Sequence, residues 1–170
     1  RTSAQTHPSQ ATPRLYARMQ VKGLSPEQIF DSLAQATGYS RGGTRQPGFR
    51  NPNTPRGEFL EMFRDQSSRP TEQRTTILQA LALMNGQFVA EATSLAQSQT
   101  LAAIVDFPLL DTAGRVEVLY LAALGRRPRP GELKRLVTYV DGGGTKNDPR
   151  QALGDVLWAL LNSSEFLFNH

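Results

Sequence analysis

Apolar residues recur at helical spacing in one segment after another of this 170-residue chain, and proline, glycine or a capping residue bounds each segment. The last segment is the most regular, because its apolar residues from Leu153 to Leu161 follow the i, i+3, i+4, i+7, i+8 pattern of a single helix face. No run alternates apolar and polar residues at the period of a strand. The sequence therefore predicts an all-α fold, a single-domain bundle of about six or seven helices.

Several helix ends can be placed from capping signals. Ser25, Asp111 and Asp148 can each cap a helix N-terminus, so we predict helices that begin directly after them. Gly38 is a suitable stop for the first of these helices, and the glycine run 142–144 interrupts the chain before the last.

Three further helices follow from apolar periodicity. We predict a short amphipathic helix over 58–63, a longer helix over 71–86 that is apolar on almost all sides, and a single helix over 88–101. In the last of these, Val89, Ala92, Leu95 and Ala96 should face inward. The predicted shared core consists of Leu78, Leu81, Leu119, Leu124, Val156, Leu157 and Leu160.

Composition divides the chain into regions of different order. Residues 1–13 are rich in Thr, Ser, Gln and Pro and have little to bury, so we expect a flexible, disordered tail. Residues 14–170 form the predicted helical domain. Within it, residues 38–56 form a long irregular loop rich in glycine, proline and arginine, and a connection of this length is usually functional or disordered.

Missing residue types exclude whole classes of chemistry. Cysteine is absent, which excludes disulfides, thiolate nucleophiles and Cys-based metal or cluster sites within this chain. The two histidines, His7 and His170, lie at opposite ends of the sequence. There is no phosphate-binding loop, dinucleotide fingerprint, His-Glu-x-x-His motif or nucleophile elbow. We therefore expect no catalytic residue, no metal ligand and no cofactor, and no apolar stretch is long enough to span a membrane.

Positive charge is concentrated in the first part of the chain. The net charge is +4, and 16 of the 19 cations are arginine. Arg41, Arg45, Arg50 and Arg56 lie in the predicted loop and are our candidate interaction residues. Because a guanidinium can bind two oxygens at once, an acidic protein surface or an anionic polymer would suit them, although solvated arginines explain the composition as well. Few aromatic residues accompany them, which disfavours nucleic acid.

Two other charged groups each have two interpretations. Arg126, Arg127 and Arg129 surround Pro128 and could form an anion site, but cations in that place also complement the C-terminus of the preceding helix, and we favour the second interpretation. Glu58 and Glu61 are one helical turn apart. They could act catalytically with Asp65 only in a concave site with a perturbed environment.

Three strings, Thr71–Gly86, Leu119–Pro128 and the ending Leu157–His170, occur together in this order. With them, residues 15–170 resemble the planctomycete-specific PSD-type domain, a domain of unknown function. The resemblance implies the C-terminal part of a large exported bacterial protein, periplasmic or on the cell surface, that often carries planctomycete-type cytochrome c domains. It implies no catalytic residues. The chain departs from the family pattern around Pro130, where Arg129 and Gly131 replace the usual Thr and Glu.

These observations lead to one main functional hypothesis and two alternatives. We expect a non-catalytic helical accessory or interaction domain whose partners are other domains of the parent protein. One alternative is a part of an enzyme, for polysaccharide processing or redox chemistry, whose catalytic residues lie mainly in upstream domains. The other is a module that binds polyanions or nucleic acid. The chain begins at Arg1 and not at Met, so we expect a segment of a longer product.

Overall fold

A computed structural model of the chain describes residues 22–39, 54–64 and 86–169. These residues form eight α-helices: α1 (Pro26–Thr37), α2 (Pro55–Arg64), α3 (Gln87–Ala92), α4 (Gln99–Asp106), α5 (Thr112–Leu124), α6 (Pro130–Asp141), α7 (Pro149–Leu161) and α8 (Ser164–Leu167). A 3₁₀ turn spans Gly144–Lys146. Two-residue strands β1 (Lys22–Gly23) and β2 (Phe168–Asn169) pair in antiparallel fashion. The prediction of an all-α, single-domain fold is confirmed.

Helices α5 and α7 form the centre of the molecule, and α6 packs against both. Helix α7 supplies the largest share of the core, and every member of its predicted apolar stripe is buried: Leu153, Val156, Leu157, Leu160 and Leu161. Leu119 and Val116 of α5 are fully buried against this face. Helix α6 is more peripheral, because Val140 is its one buried side chain.

A cluster of aromatic rings joins α1, α2 and α3. The Phe30 ring stacks on Phe88 with 4.7 Å between centroids, and Phe59 meets both rings at 5.5 and 5.7 Å. Tyr39, which follows α1, meets the edge of Phe88 at 5.0 Å. These contacts fix the two short helices α2 and α3 to α1.

The predicted helix starts are confirmed. The Ser25 side chain accepts a hydrogen bond from the Gln28 N–H, and the Gln28 side chain accepts one from the Ser25 N–H, which completes a capping box. Asp111 accepts from the Gly114 N–H at 2.8 Å, and Asp148 accepts from the Arg150 N–H at 2.9 Å. Each cap satisfies a backbone donor that has no partner inside its helix.

The prediction of one continuous helix over 88–101 is wrong. Helix α3 ends at Ala92 and α4 begins at Gln99. Thr93 donates a side-chain hydrogen bond to the Val89 carbonyl, and the Ser98 hydroxyl accepts from the Leu101 N–H while donating to the Thr37 carbonyl. Short polar side chains of this kind offer the backbone an alternative to the helix. Of the residues expected to face inward, Val89 and Ala92 are buried, Leu95 is half-buried and Ala96 is exposed.

The predicted core is confirmed for four of its members. Leu119, Val156, Leu157 and Leu160 are buried in one hydrophobic cluster, and Leu124 is partly buried at its edge. Leu78 and Leu81, like the rest of segment 71–85, lie outside the described residues, and so does the predicted tail over 1–13. The bounds of the domain, 14–170, remain a prediction.

Candidate interaction groove

A shallow groove lies between α1, the C-terminal end of α5 and α8. Its volume is about 400 Å³. The residues that line it are Asp31, Ser32, Gln35, Ala36, Ala122, Ala123, Leu124, Glu165 and Phe166. The small apolar side chains of α5 let the backbone of another segment approach closely, whereas the polar side chains come mainly from α1 and α8.

The groove has a negative electrostatic character of two origins. Two of its lining residues, Asp31 and Glu165, are carboxylates. The last turn of α5, Ala122 to Leu124, presents the C-terminal end of the helix, where backbone carbonyls without intrahelical partners carry the negative end of the helix dipole. An arginine holds each carboxylate, one on the α8 side of the groove and one on the α1 side.

On the α8 side, Arg126 binds two glutamates at once. Its Nε and Nη2 donate to the two oxygens of Glu165 at 2.5 and 2.8 Å, and its Nη1 and Nη2 donate to the two oxygens of Glu132 at 2.9 and 3.1 Å. The guanidinium also lies over the Tyr120 ring, 5.2 Å from its centroid. Arg126 therefore ties the end of α5 to α6 and α8 with paired, charge-assisted bonds.

This network changes the acidity of its members. Hydrogen bonds from Arg126, and a second one from the Arg129 N–H, lower the pKa of Glu132 from 4.5 to about 2. The hydrogen bonds from Arg126 also lower the pKa of Glu165, while its two glutamate partners raise the pKa of Arg126. Burial raises the pKa of Tyr120. Both glutamates are thus ionised throughout the neutral range, and neither holds a proton that it could give to a substrate.

On the α1 side, Arg56 pairs with Asp31. The Arg56 guanidinium donates from both Nη atoms to the Asp31 carboxylate, and it lies 5.5 Å from the centroid of Phe30. Both charged side chains remain partly exposed, at 44% and 59%. Arg56 lies in the first turn of α2, because that helix begins at Pro55, inside the segment predicted as a loop.

The structure therefore describes one of the four predicted interaction residues. Arg56 contacts an acidic side chain of this chain itself, whereas Arg41, Arg45 and Arg50 lie outside the described residues and remain a prediction. Glu58 and Glu61 are exposed on α2, so they do not meet the concave setting that catalysis would need; Asp65 lies outside the described part of the chain.

For Arg126, the structure favours the helix-end interpretation over the anion site. Arg126 directly follows Gly125, the C-cap of α5, as the helix-end interpretation requires. Its guanidinium is occupied by carboxylates, so this side chain offers no open anion site. Sequence reasoning missed the partners because Glu165 is 39 positions away along the chain. Glu132 could have been found, since it is the acidic residue in the first turn of α6, three residues after Arg129.

Two other features are absent from the described part of the chain. In residues 22–39, 54–64 and 86–169, no three histidine, aspartate or glutamate side chains are grouped so that they could hold a metal ion. Over the same residues, no helix is long and apolar enough to cross a bilayer.

With this geometry in place, comparison with protein families gives one finding. The family model of PSD1, a protein of unknown function (DUF1553), matches residues 57–140. The matched range runs from α2 to the last turn of α6, so it contains Arg126 and Glu132 but neither Asp31 nor Glu165. Comparisons with curated proteins and with solved structures give no significant match.

Proposed function

We propose that this chain is a non-catalytic helical interaction domain of a larger exported bacterial protein, and that it binds another domain of that protein through the α1–α5–α8 groove. The observation that carries the proposal is the state of the two groove carboxylates. Arginines already hold Asp31 and Glu165, and the pKa of Glu165 is lowered. Catalytic acids require the opposite, a raised pKa and an unoccupied carboxyl group.

The groove has the anatomy of a small protein interface. Small and apolar side chains such as Ala123 and Phe166 line it together with Asp31 and Glu165, the acidic members of the two ion pairs. An apolar centre with a polar rim is the usual arrangement at non-obligate contacts between domains. Export and membership in a multidomain protein rest on the sequence resemblance of the first subsection.

The two alternative functions gain no support from the groove. A polyanion bound there would need free guanidinium groups, but the two arginines beside the groove, Arg56 and Arg126, are both engaged by carboxylates. A part in an enzyme would need a contribution to an active site, and the groove carboxylates are held as structural ion pairs.

The experiment is a titration of this chain against the remaining domains of the gene product, produced as a separate protein, by isothermal titration calorimetry. Gln35 is an exposed side chain of the groove, so Gln35→Trp should block binding without unfolding α1. Gln151 is exposed near the start of α7, away from the groove, and Gln151→Trp is the matched control. We expect Gln35→Trp to weaken binding by at least about tenfold. Equal affinities for the two variants would show that the groove does not bind the other domains. Turnover of a substrate by this chain alone would overturn the non-catalytic assignment.

A further inference from the structure

The connection between α4 and α5 displays apolar side chains to solvent. Phe107 is 48% exposed and Leu109 is 84% exposed, and Pro108 between them is exposed as well. Single exposed apolar residues are common, but three in succession are unfavourable in a soluble domain unless they serve a function. We call residues 107–110 the FPLL loop.

This loop is fixed at both ends. Before it, Asp106 accepts a hydrogen bond from Arg150 of α7 at 2.7 Å. After it, Asp111 caps α5, and the half-buried Leu110 side chain lies so close to Gly114 that a Cβ atom there would come within 2.9 Å of it. Phe107 and Leu109 are therefore presented by a braced turn, which reduces the entropy that is lost when they bind.

The surroundings of the loop are acidic, although the whole chain is basic. Four aspartates lie at the helix ends on this side of the bundle: Asp106 ends α4, Asp111 caps α5, Asp141 ends α6 and Asp148 caps α7. Their placement follows from the antiparallel order of the helices, which brings the end of α4 and the start of α5 together with the end of α6 and the start of α7. Two cations accompany them: Arg150 is bonded to Asp106, and Lys146 lies in the turn between α6 and α7. We call this group the acidic end.

Helix stability explains some of these charges but not all. Asp111 and Asp148 cap helices, where the dipole favours an anion. Asp141 is the last residue of α6, where the dipole disfavours an anion, and it accepts a hydrogen bond from Thr112 at 2.7 Å. That bond holds a negative charge directly beside the start of α5 and the FPLL loop.

We infer that the FPLL loop is a docking element that inserts Phe107 and Leu109 into an apolar cleft of a partner protein whose rim carries lysine or arginine. Apolar burial would supply the affinity, and the acidic end would supply orientation and selectivity against acidic surfaces. The same charges repel anionic lipid and nucleic acid, which disfavours both as occupants. The surface is distinct from the groove, because the 13-residue helix α5 separates them by about 20 Å.

The test uses two synthetic amphipathic helical peptides as probes, each with one leucine face, the first with lysines and the second with glutamates on the polar face. Binding to the full chain is measured by fluorescence anisotropy at low and at physiological salt. We expect the lysine peptide to bind at least about tenfold more tightly than the glutamate peptide, and the preference to shrink as salt is added. Equal binding of the two peptides would overturn the inference.

Three variants make the assay specific. Leu109→Ser should weaken binding of the lysine peptide by about tenfold, whereas Leu121→Ser, which alters a 47%-exposed leucine elsewhere on α5, should leave it unchanged. Asp141→Asn keeps an oxygen that can accept the Thr112 bond but removes the charge, so it should weaken binding severalfold and flatten the salt dependence. An equal loss from Leu121→Ser would show non-specific adhesion and contradict the inference.

Three controls on the protein itself distinguish the proposed partner from other possible occupants of the FPLL loop. Leu109→Ser should leave the melting temperature of the chain unchanged, because the side chain is exposed. A marked drop would show that the chain covers the loop itself. A dimer in sedimentation that Leu109→Ser dissociates, or binding to vesicles of anionic phospholipid, would assign the loop to a second copy or to lipid. Any of these three results would overturn the inference.

Discussion

At the scale of single residues, the described part of the chain is held together by a few charged side chains that each serve more than one segment. Arg126 is the clearest case, since it joins the C-terminal end of α5 to Glu132 and Glu165 and covers the Tyr120 ring. Its side chain is only 28% exposed, so water screens these bonds less than it screens an open surface pair. The partners matter as much as the arginine, because removing it would leave two carboxylates close together.

Arg126→Ala should therefore destabilise the fold by roughly 1–3 kcal/mol, the range for loss of hydrogen bonds to charged groups. Arg127→Ala is the matched control, because Arg127 is exposed and only its backbone carbonyl accepts a bond from the cluster. That substitution should change the free energy of unfolding by less than about 0.5 kcal/mol. Urea denaturation followed by circular dichroism measures both values, and similar effects for the two arginines would contradict the central role of Arg126.

The same cluster predicts a pH dependence. The pKa of Glu132 is lowered from 4.5 to about 2 in the folded chain, so its contribution to stability is present above about pH 4.5 and is lost as the pH falls towards 2. Glu132→Gln should be destabilising at pH 7, and the difference from the wild type should shrink when unfolding is measured near pH 2.5. Glu117→Gln on α5 is a control outside the cluster. A difference that stays constant between the two pH values would exclude Glu132 as its source.

At the scale of secondary-structure elements, a strong cap together with a clean apolar stripe gave the most accurate prediction. Helix α7 has Asp148, Pro149 and a stripe without exception, and it appears as predicted. The error over 88–101 arose because Val89, Ala92, Leu95 and Ala96 continue a helical period through a stretch whose hydroxyl groups end the helix. Periodicity reports which face is apolar, whereas the Ser98 bond to the Thr37 carbonyl depends on a residue 61 positions away.

The candidate site shows the same limit of sequence reasoning. The arginines near Pro128 were recognised as important to a helix end, but their partners and the groove beside them come from segments far apart in the sequence. Asp31, Ala123 and Glu165 carry no local signal that brings them to one surface. The groove is a product of tertiary packing, and its place therefore could not be predicted from short motifs.

Two glycines that end helices allow a test of how tightly elements are joined. Gly38 ends α1 with a φ of 62°, and Gly125 ends α5 with a φ of 65°. A Cβ at Gly38 would lie 3.1 Å from Gln99 Cβ and 3.1 Å from Thr100 Oγ1, whereas a Cβ at Gly125 would have no heavy atom within 4 Å. A side chain at either position would thus strain the left-handed backbone, and only the one at Gly38 would also meet close neighbours.

Gly125→Ala should cost about 1 kcal/mol, from the left-handed conformation alone. Gly38→Ala should cost roughly twice that or more, because the new methyl group would also push α4 away from the end of α1. The measurement is the urea midpoint of each variant against the wild type. Equal losses of stability in the two variants would show that α4 moves away from the end of α1 at little cost in free energy.

At the scale of the whole molecule, the described helices share one core, and the two ends of α5 carry different surfaces. The core runs without interruption from Phe59 and Phe88 in the aromatic cluster to Leu157 in the central helices. One end of α5 opens on the groove and its ion pairs, and the other carries the FPLL loop and the acidic end. The two proposed binding surfaces therefore lie at opposite ends of one helix and share one interior.

Leu157 tests whether the core acts as one unit. It is fully buried in the middle of α7, and Leu157→Ala should cost about 2–5 kcal/mol, the sum of lost apolar burial and the cavity that remains. The matched control is Leu109→Ala, the same substitution at a leucine that is 84% exposed, which should change stability by less than about 0.5 kcal/mol. Because Leu157 belongs to the cluster that also holds the residues of α1 and α5, the loss should lower the unfolding midpoint seen by tryptophan fluorescence and by circular dichroism together. If the unfolding midpoints from the two probes differed in this variant, the helices of the groove and those of the central bundle would be unfolding independently. A single shared core would then be the wrong description.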